Sequence, residues 1–182
     1  KPVRTQIETE AGRLEFQHYF VRDRCEHVVK SIHFVSSSVA YPTHDLLRYL
    51  EDPDLCGIIV CPSNPFLSVD PILSVRGLKE ALIGSKIPIV AISPLINGQA
   101  VKGPTAKIMK ELRLVLSPVS VAAHYKDFIN GFILDETDAE HAAEITKSGM
   151  SVVTAQTLMA SLDDRINLAH TAVNLCDELR GR

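Results

Sequence analysis

Gly57-Ile58-Ile59-Val60-Cys61-Pro62-Ser63-Asn64-Pro65-Phe66-Leu67-Ser68-Val69-Asp70-Pro71-Ile72-Leu73 runs from a strand into a proline-bounded polar loop and then into a helix start. Ile58-Ile59-Val60 is short and β-branched, as a strand covered on both faces should be, and Pro62 and Pro65 forbid further ladder hydrogen bonding. Ser63, Asn64 and Ser68 then place small hydrogen-bonding side chains on a turn at the carboxyl edge of the expected sheet, where open parallel sheets bind ligands. Two readings stay open here: a ligand loop, or an ordinary strand-to-helix turn capped by Ser68 or Asn64.

Working outward, Pro71 to Ile83 is expected as one helix with Ile72, Val75, Leu78 and Leu82 facing the core, ended by Gly84-Ser85. The strand Ile87 to Ile92 follows, so the order β-α-β implies a parallel, right-handed crossover. From its end leaves a second loop rich in small residues, Ser93 to Pro104, which should lie beside the first. A helix from Thr105 to Leu112 begins at Pro104 with Lys102 and Lys107 flanking it, so free N–H groups and two ammonium charges can face one anion. Solvated surface lysines are the plain alternative.

Upstream, Val3 to Glu8 alternates like a half-exposed strand, Ala11-Gly12-Arg13 is a turn, and Leu14, Phe16, Tyr19 and Phe20 form an aromatic-rich group, together a hairpin or lid on the main sheet. Ile32 to Val35 reads as another strand, and Thr43 as the N-cap of a helix through Leu50. Downstream, the pattern predicts a helix over Val119 to Phe128, a strand over Gly131 to Leu134 ending in Asp135, and a helix over Ala139 to Lys147 for which Asp138 is the N-cap. A short strand over Val152 to Thr154 comes next, then a last helix, Asp163 to Leu179, with Ile166, Ala169, Val173 and Leu175 inward. The fold class is α/β: a three-layer αβα unit with a mostly parallel sheet plus a small N-terminal hairpin or lid.

The 182 residues, 46% hydrophobic and 23% charged, suit a single α/β domain. A formal net charge of −3 offers no basic field for nucleic acid. The apolar runs are strand-sized, which argues against a membrane span and for a cytoplasmic protein. Cys25, Cys56, Cys61 and Cys176 show neither CxxC spacing nor a paired histidine, so reduced thiols and no zinc are expected. The start at Lys1-Pro2, with no methionine and no Gly-rich phosphate loop anywhere, reads as the continuation of a longer chain.

Several motifs in order resemble the 2-phospho-L-lactate transferase family, which makes the 5-deazaflavin coenzyme F(420). They are Val3-Arg4-Thr5 with Gly12 and Phe16 to Val21, Cys61-Pro62-Ser63-Asn64-Pro65 with Ser68 and Pro71, Ile92-Ser93-Pro94, Gly98 to Pro104, Tyr125 to Phe128, and Asp135. The resemblance runs nearly end to end. It implies a Rossmann-like three-layer fold, usually a homodimer, that moves a phospholactyl group from a guanosine-diphosphate-linked donor to the ribityl hydroxyl of the deazaflavin FO, releasing GMP; bacterial relatives use a phosphoenolpyruvyl donor. It also implies magnesium, with acidic ligands and a first Gly-rich turn lying before Lys1. Such a transfer builds negative charge on phosphate oxygens, so catalysis is mainly positioning and charge stabilisation. Pro62, Ser63, Asn64, Pro65, Ser68, Ser93, Pro94, Gly98, Lys102, Gly103 and Lys107 are the nucleotide- and phosphate-binding candidates.

Asp70 is a weak magnesium candidate, equally explained as a helix N-terminal carboxylate. Asp135 and Asp138 resemble the family's acidic turn and rank below the loops. His124 beside Tyr125 reads as packing more than as an acid–base pair, and Phe16, Tyr19 and Phe20 as core more than as a deazaflavin platform. Thr157-Leu158-Met159 matches a recurrent family turn. Thr105-Ala106 departs from the family, where many members carry an acidic residue; that residue is read as tuning the helix start. The rival readings are a non-enzymatic nucleotide-sugar-binding regulator of a related fold group and an inactive partner-binding fragment. Phe16 to Val21 and the Gly103-Pro104 turn followed by Lys107 argue against the regulator.

Overall fold

A computed structural model describes residues 1–101 and 103–181. Alternation in the first residues builds β1 (Arg4–Thr9), which pairs antiparallel with β2 (Gly12–Glu15) and, after a wide helical turn at His18–Arg22, with β3 (Val29–Val35), in the order β2-β1-β3. The expected hairpin is thus a three-stranded sheet. Thr43 caps α1 (His44–Leu50) by accepting the Leu46 N–H at 3.3 Å.

The main sheet follows. β4 (Ile58–Val60) and β5 (Ile89–Ile92) are parallel neighbours, and β8 (Gly131–Asp135) and β9 (Ser151–Ala155) complete the parallel order β4-β5-β8-β9. Between β4 and β5 the chain does not form the single expected helix. It makes a wide turn at Pro65–Val69, a short α2 (Asp70–Leu73) and, past Gly77 at φ +79°, α3 (Leu78–Gly84). The break turns Ile72 outward to 58% exposure while Leu78 stays buried.

The second loop also holds more structure than expected: β6 (Leu95–Ile96) and β7 (Gln99–Ala100) form a tight hairpin over Asn97-Gly98, both at positive φ. Then come α4 (Thr105–Glu111), α5 (Pro118–Tyr125), a 3₁₀ segment at Glu136–His141, α6 (Ala142–Thr146) and, after β9, α7 (Leu162–Arg180). Asp138 does not cap a helix at Ala139; Asp135 caps the 3₁₀ segment instead.

Side chains alternate across the sheet, so Ile89, Ala91, Phe132 and Leu134 pack toward α4, α5 and α6, while Val90, Ile92 and Ile133 pack on α7. These are the three layers of a Rossmann-like α/β fold. The inward face of α7 is Leu168, Ala172, Leu175 and Cys176; of the four residues expected there, Ile166, Ala169 and Val173 face solvent. Two glycines allow the close approach: a Cβ on Gly57 would lie 2.6 Å from Cys176 Sγ, and one on Gly131 3.0 Å from Leu175. The small sheet shares the larger core, contributing Ile7 and Val29, with Tyr19 from the turn that joins β2 to β3.

Candidate functional site

Parallel strands end on the same side, so the segments leaving β4, β5, β8 and β9 meet at one edge, and a cavity of about 230 Å³ opens there. The first loop contributes Pro62, Ser63 and Asn64. The second contributes Ser93, Pro94, Ile96 and Val101, with Thr105 from α4. Thr157, Leu158 and Met159 enter from beyond β9.

The first loop is shaped by Asn64. Its Oδ1 accepts the N–H groups of Phe66 at 2.9 Å and Leu67 at 3.0 Å, capping the wide turn that Pro65 begins. That turn closes with the Val69 N–H on the Asn64 carbonyl at 3.3 Å, the i→i+5 pattern that recurs at functional sites. Asn64 is therefore both cap and cavity residue, and its Nδ2 is buried with no acceptor within the described residues. Pro65 is buried beneath the turn, and Ser68 points to solvent away from the cavity lining.

Ser93 is buried, and its Oγ accepts the Leu95 N–H at 3.1 Å, bending the chain out of β5 into the hairpin. The hairpin tip is held from below: Gly98 N–H donates to Asp138 Oδ1 at 2.8 Å, and Asn97 N–H to Thr137 Oγ1 at 3.0 Å. Asp135, 4% exposed at the end of β8, accepts four hydrogen bonds, two each from Thr137 and Thr157. Burial pushes its carboxyl up, but these donors outweigh it and hold the group below the usual carboxylate range.

The remaining candidates separate. Gly103 sits at φ +73° just before α4 and does not line the cavity. Lys102 lies outside the described residues. Lys107 points to the small sheet: its ammonium pairs with Glu111, donates to the His27 carbonyl at 2.6 Å and sits over the Tyr19 ring. His124 Nε2 meets Asp70 Oδ1 at 2.8 Å, with its ring edge-on to Phe66 and Tyr125, so it both packs and pairs. Phe16 stacks on Phe20, whereas Tyr19 is fully buried. Among the described residues no three His, Cys, Asp or Glu side chains gather as a metal site, and Asp70 pairs with His124 away from the cavity lining.

Thr157 to Met159 and the apolar lining Ile96 and Val101 are cavity residues that spacing did not reveal. In the sequence Thr157 to Met159 carry only the likeness to a family turn, and Ile96 and Val101 only their place in the second loop.

The cavity lining combines polar Ser63, Asn64, Ser93 and Thr105 with apolar Ile96, Val101, Leu158 and Met159, a composition suited to a ligand with a polar and a ring-like part. Residues 1–171 match the family model described as 2-phospho-L-lactate transferase CofD. The chain is 35% identical over 178 residues to a 2-phospho-L-lactate transferase of Methanosarcina barkeri, covering 98% of this chain and 56% of the relative. It is 31% identical to one from Methanocaldococcus jannaschii, covering 96% and 54%, and 27% identical to a phosphoenolpyruvate transferase of Streptomyces coelicolor, covering 98% and 56%. The chain therefore spans about half the length of the curated relatives it matches. Because the family match extends through both cavity loops and the Thr157 to Met159 turn, the chain belongs to the 2-phospho-L-lactate transferase CofD family.

Proposed function

We propose that the chain carries the ligand cavity of a transferase that moves a phospholactyl or phosphoenolpyruvyl group from a guanosine-diphosphate-linked donor to the ribityl hydroxyl of FO. The ribityl oxygen attacks the phosphorus bearing the acid, a new P–O bond forms, the bridging P–O bond breaks, and GMP leaves while the hydroxyl proton passes to solvent or a base. The observation that carries this reading is the cavity of mixed polar and apolar lining at the carboxyl edge of the parallel sheet. Its polar loops suit the diphosphate or ribityl hydroxyls, and its apolar lining suits a ring. Relatives bearing both transferase names leave the two donor acids as arms of one test. Magnesium would accompany the donor diphosphate and offset its charge.

The test is incubation of the protein with FO, each donor in turn and magnesium, followed by mass analysis for the phosphodiester. Product from one donor identifies the acid. Donor binding without product from either supports the nucleotide-binding regulator instead. Ser63→Ala should weaken GDP binding about threefold to tenfold, as loss of one hydrogen bond of about 1 kcal/mol does, at unchanged Tm. Unchanged affinity removes the first loop from the nucleotide site.

A further inference from the structure

Leu158 and Met159 enter the cavity from residues 156–161, which belong to neither helix nor strand before the Ser161 cap of α7. Backbone without a ladder takes its position from side-chain hydrogen bonds. Here two carboxylates hold its ends: Asp164 accepts the Ser161 N–H at 2.7 Å beside α7, and Asp135 holds Thr157 at the cavity. Asp135 Oδ2 accepts both the N–H and the hydroxyl of Thr157, each at 2.9 Å. Oδ1 accepts the N–H of Thr137 at 3.0 Å and its hydroxyl at 2.6 Å, and that hydroxyl oxygen accepts the Asn97 N–H at the tip of the β6–β7 hairpin. The hairpin bears Ile96, and Val101 follows it. The two apolar segments thus share Asp135 as a common anchor, alongside Asp138, which accepts the Gly98 N–H at 2.8 Å, and Asp164 at the Ser161 end.

We propose that Asp135 is a positioning residue that sets the separation of the Ile96/Val101 wall from the Leu158/Met159 wall, and that the slot it holds takes a planar heteroaromatic ring. Four apolar side chains line the slot, two of them branched aliphatics on the hairpin side, and the Met159 thioether adapts to aromatic edges. Asparagine cannot replace Asp135. Its Nδ2 would face two donors where a carboxylate oxygen accepts both, so one threonine must let go. Thr157→Val deletes one donor at constant shape, and Thr157→Ser keeps it. The identity of the ring, deazaflavin or guanine, rests on the transferase reading; the Asp135 linkage does not.

Amide hydrogen exchange by NMR tests the linkage without ligand. Asp135→Asn should speed exchange at Thr157 or at Asn97, whichever threonine is released, and Asp135→Ala at both, by about fivefold or more, as loss of about 1 kcal/mol gives, whereas Thr157→Val should speed Thr157 alone and Thr157→Ser neither. Release of neither amide by Asp135→Asn, or the same rise across the whole chain, overturns the proposal. In titrations with FO and with GDP, Thr157→Val should weaken the ring ligand of the slot about fivefold, and Thr157→Ser should restore it. An unchanged affinity for both probes overturns the slot. A wild-type protein that binds neither FO nor GDP overturns the transferase reading instead, a result separate from the exchange outcome.

Discussion

Asn64 joins stability to binding in one side chain. Its Oδ1 caps the Pro65–Val69 turn, so Asn64→Ala should cost about 0.5–2 kcal/mol, while Asn64→Asp keeps the acceptor and retains most of that stability. Urea denaturation of the two variants checks the order. A combined Ser63→Ala, Asn64→Ala change therefore mixes a lost cap with lost ligand contacts, and Ser63→Ala is the cleaner probe. Asp135 adds a pH dependence. Its folded-state carboxyl lies below the ordinary range, so folding favours the ionised form; the stabilisation is complete above the unfolded carboxylate value of about 3.9 and is lost as pH falls through the folded value. The stability gap between the wild type and Asp135→Asn should therefore shrink as urea titrations move from about pH 6 to about pH 3. A gap constant over that span would show that the carboxylate charge contributes nothing. Residue type and loop position were enough to read Ser63, Asn64 and Ser93 as neighbours. Lys107 and Ser68 were not readable in the same way, because the rotation of a helix or wide turn about its axis is set by what it packs against, for Lys107 by Glu111 and the His27 carbonyl.

Helix α3 is bounded by two glycines of opposite effect. Gly77 sits at φ +79° with open space where a methyl would stand, so Gly77→Ala should cost about 1 kcal/mol through backbone strain alone. Gly84, at an ordinary φ at the end of α3 and equally open, should gain up to about 1 kcal/mol as alanine. Gly57→Ala drives a methyl into Cys176 and should cost about 1–3 kcal/mol by pushing α7 off the sheet. Thermal denaturation of the three variants should give that ordering, and Gly57→Ala as mild as Gly84→Ala would mean that α7 yields freely. The phase of α7 was misread for a physical reason. The helix carries two apolar stripes, one with Ile166, Ala169 and Val173 and one with Leu168, Ala172 and Cys176, and periodicity ranks them equally. Contact with Gly57 and Gly131, whose missing side chains leave room for the second stripe, selects between them.

Across the whole molecule, Ile7, Tyr19 and Val29 join one apolar cluster with Ile108, Met109 and Tyr125, and Glu111 accepts the Val29 N–H at 3.0 Å. The small sheet is thus built into the core and is no detachable lid. Ile7→Ala should cost about 2–5 kcal/mol and move the whole transition. Helical circular dichroism and the fluorescence of the four tyrosines, of which Tyr19 and Tyr125 are buried in this shared core, should report one midpoint in the wild type and in the variant. Separate midpoints would show the small sheet unfolding on its own. Among the described residues no helix is long and apolar enough to cross a membrane.

Local pattern was sufficient for the α/β class, the parallel β-α-β order and the two polar loops, since side-chain period, proline and turn chemistry act over a few residues and carry their meaning wherever the chain goes. The assembly of the cavity was a different matter. Thr157 to Met159 and the β6–β7 hairpin are distant in sequence and are brought to one edge only because four strands run parallel and Asp135 offers both of its oxygens at their common end. Such long-range hydrogen bonding leaves no period and no motif in the sequence, and it exists only once the sheet has formed.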